Sequence, residues 1–163
     1  MSLDRRYRQG AGSNPAQPSY EVENMIVGFT GSRWGMTTPQ YITVKKLLIE
    51  WNTTEGHHGD CVGADREFHN LCEELKIRTV IHPPDNPSYR AFCKGDVILE
   101  EKPYLERNHD IVNNSSRMIA TPATEKEILR SGTWATVRYT RKIKKYLVVV
   151  APNGTEKFKY FLT

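Results

Sequence analysis

Three stretches of this chain carry residue types suited to holding an anion. The first is Met25-Ile26-Val27-Gly28-Phe29-Thr30-Gly31-Ser32-Arg33-Trp34-Gly35, an apolar run entering a turn of glycines, a serine and an arginine. The second is Gly59-Asp60-Cys61-Val62-Gly63-Ala64-Asp65, and the third is Ser131-Gly132-Thr133-Trp134. A strand that leads through a glycine-bearing turn into a helix presents free backbone N–H groups to a phosphate. Glycine keeps the approach clear of a Cβ. Arg33 and Arg107 offer planar, bidentate contacts to phosphate or carboxylate. Either could instead pair with an acid such as Asp60 or Glu106.

Other residues have two readings. Asp60 and Asp65 suit ribose hydroxyls or general-base work, although Asp65 also favours the first turn of a helix. Ser131 or Thr133 could cap a helix rather than touch a ligand. Trp34 and Trp134 stand at loop-to-helix positions where a base could stack, or where a core could form. His57-His58, Cys61 and His69 match no standard zinc spacing, and His69 reads as a local hydrogen-bonding residue. No metal and no cofactor is implied.

These residues need a scaffold, and the pattern supplies one. Strands are expected at 25–30, 55–58, 78–82, 118–121 and 146–150. Helices are expected at 39–51, 64–75, 104–114 and from Ser131 to about Lys142. Thr37 or Thr38 caps the first helix, Pro39 stands near its first position, and Ile42, Val44, Leu47, Leu48 and Trp51 form its apolar stripe. Phe68, Leu71, Cys72 and Leu75 line the second helix, and Leu105, Ile111 and Val112 the third. Tyr146–Val150 is a continuous apolar run, as in a strand buried on both faces. A long excursion over 83–103, opening on Pro83-Pro84-Asp85-Asn86-Pro87, carries one helical turn near Tyr89–Phe92. Residues 157–162 add a short edge strand.

Strands alternating with helices predict an α/β protein with a mostly parallel five-stranded sheet, order 3-2-1-4-5, and helices on both faces. Ligands bind such sheets beyond the carboxyl ends of the strands, at the switch in strand order. All three glycine-bearing loops emerge at that edge, which predicts a nucleotide-sized pocket there.

Bulk properties narrow the classes. The 163 residues suit one domain, here 25–163, preceded by a charged, then Gly/Ser/Pro-rich tail over 1–24 that reads as disordered. No run approaches the ~18 apolar residues that span a membrane. Three scattered cysteines read as reduced thiols in a cytoplasmic protein. The net charge of +4 and the pI near 9.0 favour anionic partners. Much of the excess lies in Arg138, Arg141, Lys142, Lys144 and Lys145, which form either a nucleic-acid contact or the solvated end of a helix.

Gly31-Ser32-Arg33, Gly59 with Gly63-Ala64-Asp65 and His69, Glu106-Arg107-Asn108, Ile119-Ala120-Thr121-Pro122 and Ser131-Gly132-Thr133-Trp134 together resemble the SLOG superfamily. That group holds the Rossmann-like core of DprA proteins and the LOG phosphoribohydrolases. The resemblance covers Gly28 to Pro152 and is strongest to small stand-alone DprA-like proteins of bacteria and phages. It implies a three-layer Rossmann-like fold, a nucleotide-like ligand and self-association into homo-oligomers. Together with the loop chemistry, it gives candidate ligand contacts at Gly31, Ser32, Arg33, Gly59, Asp60, Gly63, Asp65, Arg107, Asn108, Ser131, Gly132, Thr133 and Trp134, with Asp65 and Arg107 as catalytic candidates. Arg107 is placed like the arginine of LOG enzymes, but their catalytic glutamate falls on Thr136, which cannot supply an ionised carboxylate. The expected function is binding of a nucleotide or nucleotide derivative as a sensor or binding module. The alternatives are a nucleoside 5′-monophosphate N-glycosidase using another carboxylate, and DprA-like binding of single-stranded nucleic acid.

Overall fold

A computed structural model describes residues 23–157. The expected tail therefore lies almost wholly outside the described residues, as do positions 158–162 of the expected edge strand.

The strands are β1 (Ile26–Gly31), β2 (Glu55–His58), β3 (Arg78–Ile81), β4 (Val97–Ile98), β5 (Arg117–Thr121), β6 (Tyr146–Val150) and β7 (Glu156–Lys157). The helices are α1 (Thr38–Glu50), α2 (Ala64–Glu74), α3 (Tyr104–Asn113) and α4 (Gly132–Lys142). The sheet runs β4-β3-β2-β1-β5-β6-β7, parallel throughout except for β7 against β6. Its five central strands keep the expected 3-2-1-4-5 order. The seven-strand total comes from the two-residue strands β4 and β7 at the edges. Too short to show a periodicity, β4 is recognisable only by its pairing with β3.

Strand alternation sorts the core into two layers. Phe29, Ile119, Val148 and Val150 face α1 and α2, where Leu47, Leu48, Phe68 and Leu71 meet them. Met118, Ala120, Leu147 and Val149 face α3 and α4, against Ile111, Val112, Trp134 and Val137. Phe29 and Phe68 stack with ring centroids 4.5 Å apart, fixing α2 on β1.

Local chemistry sets the helix starts. Thr37 and Gln40 form a capping box on α1 beside Pro39. Gln40 is buried, and its amide donates to Pro122 O (2.8 Å) and Val150 O (3.0 Å). It thereby ties α1 to the carboxyl ends of β5 and β6. Two expected core residues point outward instead: Ile42 on α1 and Leu105 on α3 are exposed. The stripe of α1 narrows to Val44, Leu47 and Leu48, because the helix contacts the sheet along one side only. The helical turn of the excursion is a 3₁₀ turn at Pro87–Tyr89, capped by Asn86, and so lies earlier than expected.

Candidate functional site

The first two glycine-bearing loops and the end of β5 meet through Ser32, which follows β1. Its N–H donates to Thr121 O (3.2 Å), joining β1 to β5, and its carbonyl accepts from Gly35 N (3.0 Å) and Ala64 N (2.9 Å). The last bond docks the start of α2 onto the first loop. Gly63 makes the crossing possible: φ is +95°, and a Cβ there would lie 2.2 Å from the Arg33 carbonyl oxygen.

Above this junction lies a cavity of about 600 Å³ beyond the carboxyl ends of the central strands. That volume suits a nucleotide-sized molecule. Its first wall is Gly31 to Trp34, and Cys61, Val62 and Asp65 form a second. Ser131, Gly132 and Thr133 at the start of α4 form a third, with Ala123, Thr124, Ile128 and Arg130 before them. Pro84, Asp85, Asn86, Tyr89 and Tyr104 close it. The sequence reading missed Arg130, Tyr104, Tyr89 and Asn86. Arg130 directly precedes the Ser131-Gly132 turn, Tyr104 opens α3 directly after the 83–103 excursion, and the length of that excursion was the available signal for Asn86 and Tyr89.

The expected contact residues divide. Gly31, Ser32, Arg33, Asp65, Ser131, Gly132 and Thr133 line the cavity; Gly59, Asp60, Gly63, Arg107, Asn108 and Trp134 stand behind it. Trp134 is a core residue, 1% exposed, whose Nε1–H donates to Thr124 Oγ1 (3.0 Å). Trp34 is 79% exposed, with the Arg33 guanidinium 4.8 Å above its ring. Asp60 is fully buried and accepts from Arg90 Nε (3.0 Å) and the Cys93 N–H (2.9 Å). Arg107 is buried under Tyr104, and donates to the carbonyls of Gly59 and His82, to Asn108 Oδ1 and to Cys61 Sγ. Neither Arg33 nor Arg107 pairs with Asp60 or Glu106; those acids meet Arg90 and Lys102.

Charges of both signs face the cavity. Arg33 and Arg130 are exposed and have no carboxylate partner among the described residues. Ser131 caps α4 by accepting the Trp134 N–H (3.2 Å), so the Gly132 and Thr133 amides remain in the open first turn. Asp65 stands on the cavity wall with Oδ2 accepting the Cys61 N–H (3.1 Å). Burial pushes its carboxyl up to about 6, against the lowering effects of Arg107 and of the Cys61 and Gly59 amides. Burial also raises the Cys61 thiol to about 11, so it is not a thiolate nucleophile at neutral pH. Thr136 is buried and donates to Gly132 O (2.9 Å). No carboxylate reaches the cavity from α4.

Behind β2 the histidines form hydrogen-bonded chains. His58 Nδ1 accepts the Asp60 N–H (3.0 Å), which puts the ring hydrogen on Nε2, 3.0 Å from His69 Nδ1. His69 Nε2 in turn lies 3.4 Å from Glu73. His58, His69 and Cys93 have ligand atoms within 4.8 Å of one another. The tautomer imposed by Asp60 nevertheless leaves His58 no lone pair toward that point. The cluster is thus a hydrogen-bond chain, and His69 bonds locally as expected. On the other face His57 Nδ1 lies 2.8 Å from His82 Nε2.

Much of the basic block is engaged at the end of α4. Arg138 and Arg141 pair with Glu127, and Lys145 donates to the carbonyls of Val112 and Ser115. Among the described residues, no helix is long and apolar enough to cross a membrane.

A solved structure with the same arrangement of elements is that of a molybdenum cofactor binding protein from the phototrophic bacterium Rippkaea orientalis. It superposes with a TM-score of 0.61 at 17% identity, over 80% of this chain and 78% of that chain. The two chains share a fold. No family model and no curated protein matches the sequence.

Proposed function

We propose that this protein binds a phosphate-bearing small molecule of nucleotide size in the cavity beyond β1 and β5. The observation that carries this reading is the pairing of two arginines that lack carboxylate partners among the described residues, Arg33 and Arg130, with the open start of α4 on one cavity. Unpaired guanidinium groups and first-turn amides are complementary to phosphate. The cofactor-binding Rippkaea orientalis protein is a precedent for small-molecule binding on this fold. Membership of the SLOG superfamily belongs to the same proposal.

The test is isothermal titration with GMP, IMP and AMP at low ionic strength. Binding of at least one is expected, weakened about tenfold by Arg33→Ala or Arg130→Ala, the loss of one charge-assisted contact. No binding of any of the three, and none of a phosphorylated pterin, overturns the reading.

A second reading has its own observation. Asp65 is a buried carboxyl with a raised pKa on the cavity wall, a property shared by general acids and bases. It supports hydrolysis of a nucleotide N-glycosidic bond without the α4 glutamate. Release of free base from a nucleoside monophosphate, lost in Asp65→Asn, is its expected signature.

A further inference from the structure

The cavity holds more than an anion site. Its arginines lie on the loops before α1 and α4, while Asp65 stands at the start of α2. Asp65 is 7% exposed and makes no ion pair within 4 Å among the described residues. Oδ2 takes the Cys61 N–H, and the Gly59 amide also bears on the carboxyl. A carboxylate has about four acceptor positions, so capacity remains toward the cavity. Arg107, the nearest strong positive influence, is held behind the wall by the Gly59 and His82 carbonyls. A buried acceptor with spare lone pairs selects a ligand that brings donors.

The rest of the wall bears on what carries those donors. Trp34, Tyr89 and Tyr104 are exposed aromatics around the same cavity. They offer faces to a flat ring. A flat ring with adjacent N–H donors on one edge and a phosphate tail matches acceptor, aromatics and arginines together. Two neighbouring donors, N–H and NH₂ on one carbon, match a carboxylate as the two arms of a guanidinium do.

Resting on the phosphate-ligand reading above, we infer that Asp65 selects a heterocycle with a 2-amino-4-oxopyrimidine edge. Guanine nucleotides and phosphorylated pterins both carry that edge. The carboxylate accepts from the ring N–H and the exocyclic amine. IMP retains the ring N–H and loses the amine. AMP presents a ring acceptor toward the carboxylate and is disfavoured further.

The test uses the full chain and compares GMP, IMP, AMP and neopterin monophosphate by isothermal titration. The expected order is GMP tighter than IMP by about tenfold, the worth of one charge-assisted hydrogen bond, with AMP weaker still. In Asp65→Asn the amide offers one donor and one acceptor, which suits the adenine edge. The preference for GMP over AMP should collapse or reverse. Neopterin monophosphate binding more tightly than GMP assigns the edge to a pterin; weaker binding assigns it to guanine. Equal affinities of wild-type protein for GMP, IMP and AMP overturn the inference and leave the phosphate site standing. An equal loss of all ligands in a folded Asp65→Asn also overturns it, because Asp65 would then only hold the Cys61 loop. No binding by any of the four removes the phosphate-ligand reading itself. The wild-type series needs no variant to fold.

Discussion

Arg107, on α3, donates from Nη1 to the carbonyl oxygen of Gly59 at the end of β2, 48 residues earlier. The same nitrogen reaches His82 O (3.1 Å) at the end of β3. One guanidinium therefore clamps two strand ends and stacks against Tyr104. Carbonyl dipoles rather than a carboxylate solvate this buried charge.

The first prediction follows from that clamp. Arg107→Met should leave the two carbonyls without this donor, at a cost of about 1–3 kcal/mol for each group left buried and unpaired. Urea denaturation measures it. Gly59→Ala should act through the same contact, since its Cβ would fall 2.5 Å from Arg107 Nη1. Ligand affinity should fall less in Arg107→Met than in Arg33→Ala. The reverse order would return Arg107 to direct ligand contact.

A second prediction concerns the wall contributed by the 83–103 excursion. Asp60 holds it through Arg90 and Cys93, and its carbonyl accepts from Ala91 N (2.7 Å). Arg90→Ala would leave a fully buried carboxylate with no cationic partner, held by the Cys93 N–H and thiol alone. Breaking a buried pair in this way costs about 3–5 kcal/mol. The double variant Asp60→Ala/Arg90→Ala should be destabilised by less than the sum of the single effects. Amide exchange should accelerate over 84–93 while β6 stays protected. Uniform acceleration across the sheet would count against a local anchor.

The third prediction is a pH dependence with opposing parts. Burial lowers His82 to about 4 from 6.5, and lowers His57 and His58 as well. Between pH 4 and 6.5 the unfolded chain binds more protons at these positions, so stability falls as pH falls through that window. Asp65 acts oppositely: its folded value of about 6 lies above 3.8, so the folded chain binds the extra proton. Its contribution therefore falls as pH rises from about 4 to 6. Asp65→Asn should accordingly be more stable than wild type above pH 6, by about 3 kcal/mol for a shift of roughly two units. The gain should vanish near pH 4, leaving a steeper acid-side loss in the variant. Urea midpoints across pH 4–8 measure both slopes. A constant difference at all pH values would show that Asp65 carries no such penalty.

The sequence was informative where contacts are local. Thr37, Pro39 and Gln40 start α1 within four residues, and Ser131 caps α4 three residues on. Gly63 marked its turn because a backbone with φ of +95° favours glycine. Asp60 and Asp65 looked equivalent because both stand in the same short loop. What separates them is Arg90, some thirty positions away, which pairs with one and not the other.

The sequence by itself determined the alternation of strands and helices, the central strand order and the edge where the glycine-bearing loops gather. Hydrophobic periodicity, turn chemistry and the handedness of crossovers act over short spans, so they can be read along the chain. Only the tertiary structure decided which charges face the cavity. Arg33 and Arg130 do so because no carboxylate among the described residues pairs with them; Arg107 does not, because Gly59 and His82 draw it inward. Burial and counter-charge come from residues distant in sequence, and those distances close only when the sheet has formed.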